Sequence, residues 1–106
     1  MTQLPSLTPL QFLVLDFLAG SNTAVSAHQL MQGLRELSAS YAGPKFYQLM
    51  GRLVRDGLVI SESRTIATPA GQIERTFYGP TETGRRSLLL TRTFYETRHR
   101  LKETLG

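Results

Sequence analysis

The 106-residue sequence contains no cysteine, which excludes disulfide bridges and thiolate-ligated metals. Histidine is nearly absent too. His28 and His99 fall on different predicted helices with no carboxylate cluster beside them, so no metal and no cofactor is expected. Nothing approaches the roughly 18 apolar residues of a membrane span, and the opening MTQLPSLTPLQ has neither the basic residues nor the apolar centre of a signal peptide. A soluble, cytoplasmic protein with no membrane association is expected. A nucleophile elbow, a glycine-rich phosphate loop and a paired-carboxylate motif are all missing, and with them the chemistry an enzyme would need.

Acid is in short supply. Twelve Lys and Arg stand against eight Asp and Glu, giving a formal net charge of +4 and a pI near 10.0. The excess is uneven: residues 1–40 hold one cation and two acids, residues 41–106 eleven cations and six acids. Such asymmetry favours a polyanionic partner. The remaining composition, 41% apolar and 19% charged, belongs to a folded chain long enough for one core and too short for two.

Local chemistry divides this single unit into elements. Thr8-Pro9-Leu10-Gln11 combines an N-cap, a first-position proline and a capping-box glutamine. The helix it opens carries its main stripe on Leu10, Leu13, Val14, Phe17 and Leu18, widened by Phe12, Leu15 and Ala19, and ends at Gly20-Ser21-Asn22. That width predicts a helix enclosed on more than one side. Ser26-Ala27-His28-Gln29 repeats the capping box and opens a second helix, with Ala27, Leu30, Met31, Leu34 and Leu37 inward, stopping near Ser38.

A third helix follows in Gly43–Leu58, GPKFYQLMGRLVRDGL. Phe46, Leu49, Met50, Leu53 and Val54 recur at helical spacing as its buried stripe, while Lys45, Gln48, Arg52 and Arg55 occupy the opposite side without any acid. Pro44 suits the first helical position and Gly57 the left-handed residue that closes a helix. From Leu58 to about Ile66 the pattern turns β-branched and alternating, Thr68-Pro69-Ala70-Gly71 makes a turn, and Ile73 to Tyr78 returns. This predicts a hairpin with a fairly long tip, broken by Gly79-Pro80. Thr81 or Thr83 caps a last helix running to about Thr104, whose Leu90, Phe94, Leu101 and Leu105 form a seam that one helix cannot bury on itself.

The predicted fold class is therefore mainly α with a small β-hairpin: a winged helix-turn-helix at residues 1–80, with one C-terminal dimerisation helix at residues 81–106. In such domains the third helix enters the major groove and the hairpin reaches the backbone beside it. Two sequence blocks carry a specific likeness. Phe46-Tyr47, Leu49-Met50, Arg52-Leu53 and Gly57-Leu58, followed by Phe77-Tyr78-Gly79-Pro80-Thr81-Glu82-Thr83-Gly84-Arg85, resemble the recognition helix and the strand-to-helix junction of PadR-like winged-helix transcriptional regulators. The resemblance implies a dimeric repressor on a pseudo-palindromic operator of double-stranded DNA. Two positions depart from the family pattern: Ala27-His28 replaces a Gly-Tyr pair, and Ala42 replaces a serine cap.

The expected DNA-facing residues are Lys45, Gln48 and Arg52, whose amide and guanidinium groups can reach base edges, with Arg55 further along the helix at a phosphate. Tyr47 sits between the buried and basic faces, where its ring packs on the domain and its hydroxyl reaches a DNA phosphate or a backbone group. Arg64 and Arg75 flank the hairpin tip from opposite strands, either for phosphates or for cross-strand pairing with Glu62 or Glu74. Phe17, Tyr41, Phe77 and Tyr95 are core residues or the lining of a pocket for an unidentified small-molecule effector. The rival reading of the whole chain is a protein-interaction adaptor built on the same fold.

Overall fold

The computed structural model describes residues 7–37 and 43–105. The leader at 1–6, the connection at 38–42 that includes Tyr41 and Ala42, and the side chains of Leu37 and Leu105 lie outside the described residues. The chain runs α1 (Pro9–Ala19), β1 (Val25–Ser26), α2 (Ala27–Leu37), α3 (Pro44–Arg55), β2 (Val59–Thr68), β3 (Gly71–Pro80) and α4 (Glu82–Leu105).

Both predicted capping boxes form. At α1 the Gln11 N–H donates to Thr8 Oγ1 at 3.2 Å, and the Thr8 N–H donates to Gln11 Oε1 at 3.1 Å. At α2 the Gln29 N–H donates to Ser26 Oγ at 3.1 Å, and the Ser26 N–H reaches Gln29 Oε1 at 3.2 Å. Ser26 is itself buried, and its hydroxyl satisfies one of the first-turn amides of α2. We expect Ser26→Ala to cost about 1 kcal/mol, read as a lower urea midpoint with an unchanged slope.

The core gathers Val14, Leu15 and Leu18 of α1, Leu30 and Leu34 of α2, Phe46, Met50 and Leu53 of α3, Val59 and Tyr78 of the sheet, and Leu88 of α4. On α1 the buried side is displaced from the expected stripe. Leu13 and Phe17 are exposed, while Leu15, expected only to widen the stripe, is fully buried. α1 is covered on two sides, as its width implied: its opposite flank packs on α4, through the edge-to-face pair Phe12–Tyr95 and the ion pair of Asp16 with Arg92.

The sheet has three strands in the order β1-β3-β2, all antiparallel. The hairpin differs from expectation at both ends. Thr68 pairs with Gly71, so only Pro69 and Ala70 form the tip. Proline presets the backbone for the turn, Gly71 takes a φ of 122°, and Thr68 Oγ1 donates to the Gly71 carbonyl at 2.6 Å. At the other end Gly79-Pro80 does not break β3, because Pro80 is its terminal residue and pairs with Val59 where the ladder ends.

The start of α4 is fastened to the turn between α3 and β2. Gly57 has a φ of 74°, the left-handed conformation expected of it. Thr81 Oγ1 donates to the Gly57 carbonyl at 2.5 Å and accepts the Gly84 N–H at 2.9 Å, while the Thr81 N–H donates to the Leu58 carbonyl at 3.1 Å. Gly84 is buried so closely against Leu58 that a Cβ there would overlap its carbonyl oxygen. Leu88 and Thr91 remain buried beyond this clasp, and from Arg92 to Thr104 every described side chain of α4 is exposed. The Cα radius of gyration is 16.2 Å, against roughly 13 Å for a compact chain of this length.

Candidate nucleic-acid interface

α3 owes its orientation to the contrast between its faces. Phe46, Met50 and Leu53 are at most 1% exposed, and each contributes about 1.5–3 kcal/mol by leaving water. This burial turns Gln48 and Arg55 to the diametrically outward side, with Lys45 and Arg52 on one flank and Tyr47 and Val54 on the other. Lys45, Tyr47, Gln48, Arg52 and Arg55 are all exposed. Among the described residues neither Lys45 nor Arg52 has a carboxylate partner. Arg55 is less free, since its Nε lies 3.6 Å from the Asp56 carboxylate.

The first turn of α3 carries no side-chain cap; the N-cap is Gly43, with a φ of 65° and no hydrogen-bonding group to offer. Its positive dipole end therefore adds to Lys45 in place of being neutralised by a Ser or Asp. An open groove runs from this basic flank to the N-terminus of α1, lined by Thr8, Gln11, Lys45, Gln48 and Arg52. A second groove lies on the other flank, between Tyr47, the N-terminus of α2 at Ala27 and His28, and Glu74, Arg75 and Thr76 of β3. α3 thus stands as a ridge between two grooves, each containing a helix N-terminus and at least one cation.

Tyr47 is 55% exposed with its ring edge against Phe46, at a centroid distance of 5.2 Å. Phe46 in turn meets Tyr78 edge-to-face. Burial, with a smaller contribution from Tyr47, pushes the Tyr78 phenol above its ordinary range.

The wing cations do not sit at the tip. Arg64 and Arg75 oppose each other directly across the hairpin, four pairs back from Thr68 and Gly71. Like charges so placed repel. Arg64 is drawn aside, donating to Glu62 at 3.0 Å on its own strand and lying 4.6 Å over the Phe77 ring. That guanidinium also holds the Glu62 carboxyl below the usual carboxylate range. The pair is made along β2 and not across the hairpin as expected. Arg75 has no ion-pair partner among the described residues.

Of the four aromatics offered as an effector pocket, the three described ones do not converge. Phe77 lies under Arg64 on the hairpin face opposite Tyr78, Tyr95 packs on Phe12 and Phe94, and Tyr41 is outside the described residues. Phe17 lines a different hollow of about 180 Å³ between α1 and α2, with Leu13, Leu30, Gly33 and Leu34. Drug-sized ligands occupy roughly 300–1,000 Å³. On α4 the seam residues Leu90, Phe94 and Leu101 are 52%, 37% and 56% exposed. Leu13, Phe17 and Leu89 are exposed as well and were absent from the seam expectation.

A helical core, a β-hairpin extending beside an exposed third helix and a small sheet that ties them together define a winged helix-turn-helix domain. Solved structures share this architecture. A PadR-like transcription factor from Bacteroides fragilis aligns with a TM-score of 0.70 at 18% identity, over 92% of this chain and 89% of its own. A PadR family regulator from Clostridium difficile gives 0.72 at 17% identity, over 93% and 100%. PadR of Bacillus subtilis in complex with operator DNA gives 0.53 at 19% identity, over 76% and 46%. No protein-family profile and no curated protein matches the sequence. At these identities the likeness is one of fold: the chain has the fold of PadR-like winged-helix transcriptional regulators.

Proposed function

We propose that the protein is a cytoplasmic, sequence-specific DNA-binding transcriptional regulator, not an enzyme, that acts as a dimeric repressor by occupying a pseudo-palindromic operator. The observation that carries this is the ridge of α3, on which Lys45 and Arg52 are exposed beside Gln48 and unneutralised among the described residues. That a protein of the same fold was solved in complex with operator DNA supports the same reading. Lys45, Gln48 and Arg52 face base edges in the major groove, Arg55 and Tyr47 stand at its rims, and Arg75 of the wing faces the adjoining backbone. Arg64 contributes less, being held by Glu62 and Phe77. Residues 1–80 form the DNA-binding part and residues 81–106 the dimerisation helix.

Each phosphate neutralised releases counterions, so affinity falls steeply with salt. The test is fluorescence anisotropy across a salt series, using a duplex that the protein selects from a randomised pool and a scrambled duplex of equal length. Arg52→Ala is expected to cost about 1–3 kcal/mol on the selected duplex and to narrow its lead over the scrambled one. A flat salt response, or equal affinity for both duplexes, would remove the sequence-specific reading. If Arg52→Ala weakens both duplexes equally, the residue contacts phosphate alone.

A further inference from the structure

The outward ridge of α3 has a gap in it. Gly51 lies one turn after Gln48 and one turn before Arg55 on the same exposed face, in the interior of an unbroken helix. Glycine is among the worst helix-interior residues, and it is usually retained for a positive φ or because a neighbouring atom leaves no room for a Cβ. Neither reason applies here. Positive φ among the described glycines occurs at Gly43, Gly57 and Gly71, and a Cβ built on Gly51 meets no atom of the described residues within 4 Å. The fold gains nothing from the missing side chain.

We infer that Gly51 is a contact position for DNA, where the backbone of α3 comes directly against base-pair edges on the floor of the major groove. This rests on the DNA-binding reading above and goes beyond it by assigning a role to a residue without a side chain. A helix with its side chains measures about 10–12 Å across, and the major groove of B-DNA is about 12 Å wide. The depth of entry is then limited by the most outward residues. A notch between Gln48 and Arg55 lets the helix axis sit closer to the bases and lets both flanking side chains reach neighbouring steps. Any side chain at position 51 would act as a spacer, holding the amide and both guanidinium groups of Arg52 and Arg55 away from their partners.

The inference predicts opposite effects of one substitution on stability and binding. Gly51→Ala should raise the thermal midpoint by about 3–6 °C, because alanine favours the helix and meets no obstruction. The same variant should bind the selected duplex about ten-fold more weakly, and Gly51→Leu about a hundred-fold more weakly while remaining folded. Melting curves and anisotropy on wild type and both variants read these separately. Undiminished affinity in both variants, with the wild type binding normally, overturns the inference and leaves the regulator reading standing. A lowered melting temperature in Gly51→Ala overturns it too, since the position would then serve the fold. A wild type that binds no duplex overturns both readings.

Discussion

Gly84→Ala is expected to destabilise the protein by more than about 3 kcal/mol, beyond the usual range for an extra methyl in a packed interior. The reason is the identity of the obstructing atom. Flexible side chains can swing away from a new methyl group, but here the Cβ would fall on the carbonyl oxygen of Leu58, with Leu15 Cδ2 only 3.3 Å away on another side. That carbonyl already accepts the Thr81 N–H, and Leu58 itself is buried. Relief requires either the left-handed turn at Gly57 or the first turn of α4 to move, which breaks the Thr81 hydrogen bonds as well. Domains of this size are stable by about 5–15 kcal/mol in total, so the melting temperature should fall by about ten degrees or more. A change of less than about 2 °C in scanning calorimetry would mean that the junction is not packed as described.

The second large effect concerns α4. Changing Phe94 and Leu101 together to glutamate should leave the fold intact, because both are exposed on a part of the helix that touches little else of the chain. It should convert the proposed dimer into a monomer. In a two-fold assembly each residue is counted twice, and because Leu90, Phe94 and Leu101 are already about half covered they give at most roughly 4–9 kcal/mol of gross burial. Association costs about 4–15 kcal/mol, a narrow balance that two pairs of introduced carboxylates would reverse. Sedimentation velocity reads the assembly directly. Operator binding should weaken by two orders of magnitude or more, since half-sites roughly 10 base pairs apart would no longer be engaged together. A wild-type chain that sediments as a monomer at micromolar concentration would end the dimer proposal.

How much of this could be read in advance depended on how sharply each segment contrasts its faces. In α3 polar residues interrupt the apolar ones once per turn, so one face alone could be buried and the exposed ridge followed. In α1 Leu10, Phe12, Leu13, Val14, Leu15, Phe17 and Leu18 cover most of the circumference, and no periodicity selects among them. The choice of Val14, Leu15 and Leu18 was made by the other core elements. β1 went unseen because two residues cannot display an alternation; Val25 and Ser26 become a strand only when Tyr78 and Phe77 arrive beside them. The hairpin tip was overestimated because Thr68 and Gly71 are turn-forming residues that also pair.

The candidate site divided in the same way. Positions on α3 follow from helix geometry, whereas the fate of the wing arginines depends on register. Nothing in Glu62-Ser63-Arg64 says that Arg64 will face Arg75 and lean onto Phe77 in consequence. Gly84 gave no local signal of its contact with Leu58, since the two are 26 positions apart and meet only through the clasp at Thr81. His28 entered the second groove because the cap at Ser26 aims the start of α2 toward Tyr47 and Arg75.

Were α4 to pivot at the clasp and release its contacts from Arg92 and Tyr95 to α1, it would act as a lever with its fulcrum at Thr81. A helix of 24 residues is about 36 Å long, so a tilt of about 10° at that point swings the far end by about 6 Å. Two copies joined along α4 would translate such a swing into a change in the distance between their reading heads. The few atoms shared by Gly57, Leu58, Thr81 and Gly84 would then act as a ruler for operator length, and substitutions there offer a way to recalibrate it.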